Sequence, residues 1–339
     1  MPDPMTILAA LLLALVPSLL YLFVLNLIDR YEKEPWRILV ACLGMGALVA
    51  PTASLAALIV LGRPGDLPPA FAPGRSPDAL IGVVESTAVG IVLVAIVRSV
   101  REEFDDVLDG VIYGAAIGAG FGAAESFLYV LGGTSQLSTI TIAQLLIAGL
   151  NHAFYGAVIG AVLGWARDLL PWQSAVATVL GVGTAAWLQV FHDTLPLIMA
   201  RVLGKPDAAA GTASKLLADA VNWLGILAIV VIVALSWRRE ARILQAELHD
   251  EVAHGVVSSA DYATVTSLGG RLRRQAALLR EDGLGAVIRL RRRYAAEGEL
   301  AFHKWQLRRR AAHGPDPARG DRLRDLIRSL DDASPEATR

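Results

Sequence analysis

Two glutamates and two histidines stand out in this 339-residue chain because each falls inside a long apolar run: Glu85, Glu125, His152 and His192. An Asp at the centre of a membrane helix costs about 2.5 to 3.5 kcal/mol on insertion scales, so ionisable groups at such depth are functional-site hypotheses by default. Asn151, Asp193, Asp219 and Asn222 share those surroundings. Carboxylates and imidazoles in a dry cavity suit the activation of water. A glutamate takes the proton as general base, and a His or Asn donor stabilises the oxyanion that forms on a carbonyl. His152, His192 and Glu125 could instead hold Zn²⁺ with one position open for water. A proton-coupled transporter would also place carboxylates and histidines at mid-membrane. The chain has no His-Glu-x-x-His segment.

The elements that must position these groups follow from the apolar runs themselves. The chain is 54% hydrophobic, with a mean hydropathy of +0.50, and the excess is gathered in blocks. Seven blocks reach the roughly 20 residues a span needs. They lie near Met5–Ile28, Ile38–Leu61, Asp78–Val97, Asp109–Gly132, Ile140–Ala166, Trp172–Leu203 and Ala213–Ser236. In lipid, backbone N–H and C=O groups must pair within the segment, so these are helices. The expected fold is all-α: a polytopic membrane helix bundle over residues 1–237, then a basic, helical, cytoplasmic tail over 238–339 whose end is disordered. The first run exceeds the h-region of a cleavable signal and has no Lys or Arg before it, so it is expected to be retained. Cys42 is the single cysteine, which excludes an intrachain disulfide and a thiolate metal site.

Lys and Arg set the orientation. With the N-terminus outside, inner loops hold Arg30, Lys33, Arg37, Arg98, Arg101 and Arg167, and outer loops hold Arg63, Arg75, Arg201 and Lys205. The basic string Trp237-Arg238-Arg239-Glu240-Ala241-Arg242 after the last span adds the stronger vote for a cytoplasmic C-terminus. At about 1.5 Å per residue, Glu85, Glu125, His152 and His192 then fall in one slab roughly 10 to 18 Å below the outer face. Gly110, Gly114, Gly118 and Gly122 form a row that Glu125 extends, and His152 heads a row of Gly156, Gly160 and Gly164. Such rows face neighbouring helices, not lipid. The alternative is that the polar groups only tie helices together, at about 0.6 kcal/mol per pair. In the tail, which holds 20 of the 31 Lys and Arg, the clusters at 271–274, 289–293 and 308–310 could meet anionic lipid. A solvated helical face or a cytoplasmic protein contact are the other readings. Nucleic acid is not expected, since few aromatics accompany the charges.

Four ordered motifs carry a family resemblance. They are Asp29-Arg30-Tyr31-Glu32-Lys33-Glu34-Pro35-Trp36, Glu103-Phe104-Asp105-Asp106 with Asp109-Gly110-Val111-Ile112-Tyr113-Gly114, Gly120-Phe121-Gly122-Ala123-Ala124-Glu125-Ser126, and Asn151-His152-Ala153-Phe154. Over about residues 5–236 the chain resembles the PrsW family of intramembrane proteases, which is related to the CAAX prenyl protease and bacteriocin-processing enzymes. The resemblance implies cleavage of membrane-bound protein or peptide substrates in or near the bilayer; some members act on membrane-bound anti-sigma factors at their extracytoplasmic side. It maps the family's Glu-Glu-x-x-Lys motif onto Glu85-Ser86-Thr87-Ala88-Val89, its Glu-Asn onto Glu125-Ser126, and its histidines onto His152 and His192. The chain departs from the pattern at Ser86, Val89, Ser126 and Pro196. The expected site has Glu85 activating water, Glu125 as second acid or ligand, His152 and His192 as oxyanion donors or zinc ligands, and Ser86, Ser126, Asn151 and Asp193 in support. The type is glutamic or metallo. The departures leave a second expectation, a catalytically impaired relative that binds membrane clients as regulator or scaffold.

Overall fold

The computed structural model describes residues 3–31, 33–60, 79–101, 103–131, 139–202, 208–309 and 317–332. Seven helices are long and apolar enough to cross a membrane: α1 (Pro4–Ile28), α2 (Trp36–Val60), α3 (Ala79–Ser99), α4 (Val107–Leu131), α5 (Thr139–Ala166), α6 (Pro171–Val202) and α7 (Ala208–Ala253). With α8 (Ser259–Val265), α9 (Leu268–Glu281), α10 (Gly283–Arg309) and α11 (Pro317–Asp332), the described residues are all α. Each expected span is present. The last runs on to Ala253 instead of stopping at Ser236, because the sequence after the apolar block is rich in Glu, Leu, Ala and Arg, all good helix formers. Contacts divide the chain into two units: Met1–Ile28 with Glu34–Val233, and Asp29–Lys33 with Ala234–Arg339. Arg63, Arg75 and Lys205, used for the orientation, lie outside the described residues.

In the first unit, close approach is governed by missing side chains. Lipid is as apolar as leucine, so helices in it associate through packing and hydrogen bonds, and small residues mark where backbones meet. A Cβ on Gly110, Gly114 or Gly118 of α4 would stand 2.0, 2.1 and 2.0 Å from the carbonyl oxygens of Gly160, Gly156 and His152 of α5. Two residues round the helix, a Cβ on Gly120 would stand 1.9 Å from the Leu43 oxygen of α2, and one on Gly46 of α2 1.9 Å from the Ile117 oxygen. α4 is therefore clamped between α2 and the antiparallel α5 and almost wholly buried. α1 turns the small stripe Ala10, Ala14 and Ser18 inward and leaves Leu12, Leu19 and Leu20 more than half exposed. The Ser18 hydroxyl donates to its own helix at Ala14 O (2.7 Å) and to Ala119 O of α4 (3.4 Å).

Several acids of the ordered motifs serve this scaffold. The Asp106 carboxylate accepts from the N–H groups of Leu108 (2.6 Å) and Asp109 (3.3 Å), while Asp109 accepts from those of Asp105 (2.5 Å) and Asp106 (3.0 Å). This is a reciprocal cap on the first turn of α4. Arg167, just past α5, pairs with Asp105, and the buried Tyr113 hydroxyl donates to Glu34.

The second unit has a core of its own, although a solvated helical face was one reading of its arginine clusters. Leu244, Leu248, Val265, Leu300, Phe302 and Ile327 are buried together with Tyr31 from the loop between α1 and α2. One member of the first arginine cluster turns inward: Arg271 donates to Val265 O (2.8 Å) and Arg30 O (3.0 Å) and lies 4.5 Å over the Tyr31 ring. Arg293 is likewise occupied, by Asp261 and Glu297. Of the terminal stretch, 317–332 is helix α11, while 333–339 fall outside the described residues.

Candidate active site

The Glu85 carboxylate of α3 is buried and gripped from two other helices. One oxygen accepts the Ser54 hydroxyl of α2 at 3.1 Å, and the other accepts the Gln189 side-chain amide of α6 at 2.6 Å. Gln189 is itself oriented, since its carbonyl oxygen accepts the Ser86 hydroxyl at 2.9 Å. α6 can come this close because α3 lacks side chains where they touch. A Cβ on Gly90 would stand 2.5 Å from Val182, and one on Gly82 3.1 Å from Val190.

Beside this carboxylate is a small cavity lined by Glu85, Val89, Gly118, His152, Tyr155 and Gln189 among others. About 10 Å³ of it is open to the centre of a water molecule, room for about one water. The His152 ring on its wall is fixed by Phe121, 4.8 Å away between centroids, and by the edge of Tyr155 at 6.0 Å. Its Nε2 contacts the Glu125 carboxylate. The glycine seam explains the contact. It sets His152 opposite Gly118, and helical side chains lean toward their own N-terminus, so in this antiparallel pair His152 and Glu125 lean toward each other.

His192 does not line this cavity. Its Nδ1 stands 3.0 Å from Asp193, and its Nε2 2.9 Å from Asp219 of α7 and 3.3 Å from the Asn151 amide. One turn beyond Asp219, Asn222 donates to the Tyr155 hydroxyl at 2.8 Å. The groups thus form two neighbouring clusters, Glu85 with Glu125 and His152, and His192 with its carboxylates, joined through the consecutive residues Asn151 and His152. Ser126 is buried beside Glu125, and Pro196 lies within α6. Ser54, Gln189 and Tyr155 belong to the site without having been singled out from sequence. The available signal was spacing: Gln189 and Tyr155 each lie three residues from a flagged histidine, on the same helix face.

The sequence model of a family described as PrsW family intramembrane metalloprotease matches residues 34–236. The chain belongs to the PrsW family. It is an integral, multi-pass membrane protein. Protease PrsW of Geobacillus kaustophilus (strain HTA426) is similar, 31% identical over 67 residues, which are 20% of this chain and 28% of that protein. The match therefore spans little more than a quarter of the curated relative's length. No solved structure matches.

A metalloprotease family implies a metal, and the expected ligands were His152, His192 and Glu125. His152 and Glu125 meet each other, whereas both ring nitrogens of His192 face Asp193 and Asp219. Among the described residues no three His, Cys, Asp or Glu side chains are placed to share one ion. The donor set as it stands does not fit a metal. What it does offer is an oriented carboxylate, an oriented imidazole and space for one water between them.

Proposed function

We propose that this PrsW-family chain is an intramembrane peptidase of glutamic type that cleaves membrane-bound protein substrates near the outer membrane face. One observation carries the reading: a one-water cavity bounded by the Glu85 carboxylate on one side and the Glu125-backed His152 ring on the other. Glu85 takes a proton from the water as its oxygen bonds to the peptide carbonyl carbon. His152, protonated on both ring nitrogens with its Nε2–H held by Glu125, donates from Nδ1–H to the oxygen that becomes negative, while Asn151 and His192 stand in the neighbouring cluster. The C–N bond then breaks, and the proton passes from Glu85 to the leaving nitrogen. The donor set does not fit zinc, so these steps use side chains alone. The orientation that goes with this reading has the N-terminus outside and the C-terminus cytoplasmic.

A second reading, a regulator or scaffold that holds membrane clients uncut, is favoured by one feature: both Glu85 oxygens already accept hydrogen bonds. Proteomics of membrane-protein fragments separates the two. Cells expressing wild type should contain fragments missing with Glu85→Gln, a general-base loss of about 10²-fold or more. Identical fragment patterns, with clients captured equally by both forms, would overturn the peptidase.

A further inference from the structure

On α9 and α10 of the second unit, four large apolar side chains stay in the open although a core lies beside them. Leu272 is 56% exposed and Leu279 52% on α9, and Leu284 is 66% and Ile288 46% on α10. They are not scattered. Leu272, the exposed Ala276 and Leu279 follow the i, i+4, i+7 line of one helix face, and Leu284 and Ile288 stand one turn apart. Exposed arginines border both lines: Arg273 and Arg280 on α9, Arg289, Arg291 and Arg292 on α10. The two helices are arms of one hairpin. It turns at Gly283 (φ +77°) and closes through Leu278, Ala286 and Val287 with Leu290. Single exposed leucines need no explanation, but rows of them do.

The occupant is indicated by charge and by chain connection. An apolar stripe edged with arginine matches the boundary between acyl chains and anionic headgroups, where the apolar residues enter and the guanidinium groups remain at phosphate level. The hairpin is also anchored at that level. The Asp29–Lys33 loop belongs to this unit and joins the ends of two membrane spans, α1 and α2, so it stays at the bilayer surface. Arg271, in the first turn of α9, donates to Arg30 O of that loop and lies over its Tyr31 ring. On α10, a Cβ on Gly298 would stand 2.6 Å from Tyr31 O. Both arms are therefore held against a segment that cannot leave the membrane surface. We propose that the exposed face of the α9–α10 hairpin lies in the headgroup layer of the anionic leaflet of the bilayer this chain spans. The binding adds an in-plane contact to the spans and is independent of peptidase activity.

The full chain in lipid nanodiscs provides the test. Cys42 is the one cysteine and is buried, so Ala276→Cys places a single reactive thiol on the proposed face for a nitrobenzoxadiazole label. In discs of phosphatidylcholine with one third phosphatidylglycerol, the label should emit blue-shifted light and be quenched by doxyl-labelled lipid. Both effects should be lost in pure phosphatidylcholine, in about 1 M salt, and in the Arg280→Gln, Arg289→Gln, Arg292→Gln variant. The comparison between lipids uses one labelled protein, so it does not depend on how the arginine variant folds. Emission that ignores lipid charge would overturn the proposal. So would a blue shift without quenching by lipid, which would mean that a protein surface covers the stripe.

Discussion

A buried carboxylate that is to accept a proton needs neighbours that fix its direction without neutralising it. Around Glu85 those neighbours are neutral: the Ser54 hydroxyl and the Gln189 amide, with Ser86 setting which way the amide points. Ser86 and Val89, both on the cavity wall, stand where the sequence resemblance implies a second Glu and a Lys. Replacing Gln189 by Leu removes the 2.6 Å donor from a charged acceptor, worth about 1.5 to 3 kcal/mol. Cleavage by Gln189→Leu should therefore fall about 10- to 100-fold. Ser86→Ala should cost less, because its hydroxyl reaches Glu85 only through Gln189. Initial rates of fragment formation check both, and a greater loss from Ser86→Ala would contradict this order. Flagging ionisable residues in apolar runs reaches Glu85, Glu125, His152 and His192 but passes over Ser54 and Gln189. Neutral polar side chains in a span are cheap and common, so their sequence signal is weak. Nor does the sequence say that His192 faces carboxylates instead of the cavity, since that depends on how α7 lies against α5 and α6.

At the scale of elements, the spans were legible almost to their ends, the continuation of the last to Ala253 excepted, because backbone pairing in lipid leaves helix as the form for such runs. The glycine rows of α4 and α5 were legible too, as faces on which helices meet. Their register was not, because Gly114 could oppose Gly156 or Gly160 with equal ease in sequence, and the carbonyl contacts decide it. This seam governs the site, since it sets His152 against Gly118 and within reach of Glu125. Gly114→Ala would put a methyl group 2.1 Å from Gly156 O, backbone against backbone, where neither partner can rotate away. Overpacking of this kind costs about 1 to 3 kcal/mol or more, which exceeds the gain of about 1 kcal/mol in helix propensity. Gly44 of α2 supplies the control, with nothing within 4 Å of its added Cβ. Thermal denaturation in detergent should show Gly114→Ala clearly destabilised and Gly44→Ala unchanged or slightly stabilised. Equal effects would mean that close approach at the seam is not what holds α4 to α5.

Across the whole molecule, both units bury polar groups, but they manage them differently. In the membrane unit the polar interior is small and built largely on hydrogen bonds. The second unit encloses ionisable groups in its core, and Glu297 is the extreme case, wholly buried. Burial pushes its carboxyl up to about 7, against the opposing pull of Arg293, while Asp261 pushes the same way as burial. Arg293 cannot hold the Glu297 charge alone because its guanidinium is shared with Asp261, at 2.9 Å, as well as Glu297, at 3.0 Å. The sign of the consequence is fixed. The folded unit keeps a proton on Glu297 that the unfolded chain, with its ordinary value of 4.5, has already released. Stability from this group is therefore full below about 4.5 and is lost as pH rises through about 7. The loss amounts to about 3 kcal/mol at 1.4 kcal/mol per unit. Glu297→Gln keeps an acceptor for Arg293 and removes the titration. Hydrogen exchange of the α10 amides in the full chain, followed from pH 5 to pH 8 after correction for intrinsic rates, should show protection falling in wild type and a flatter profile in Glu297→Gln. Parallel profiles would assign the pH dependence to other groups and leave Glu297 ionised within the core.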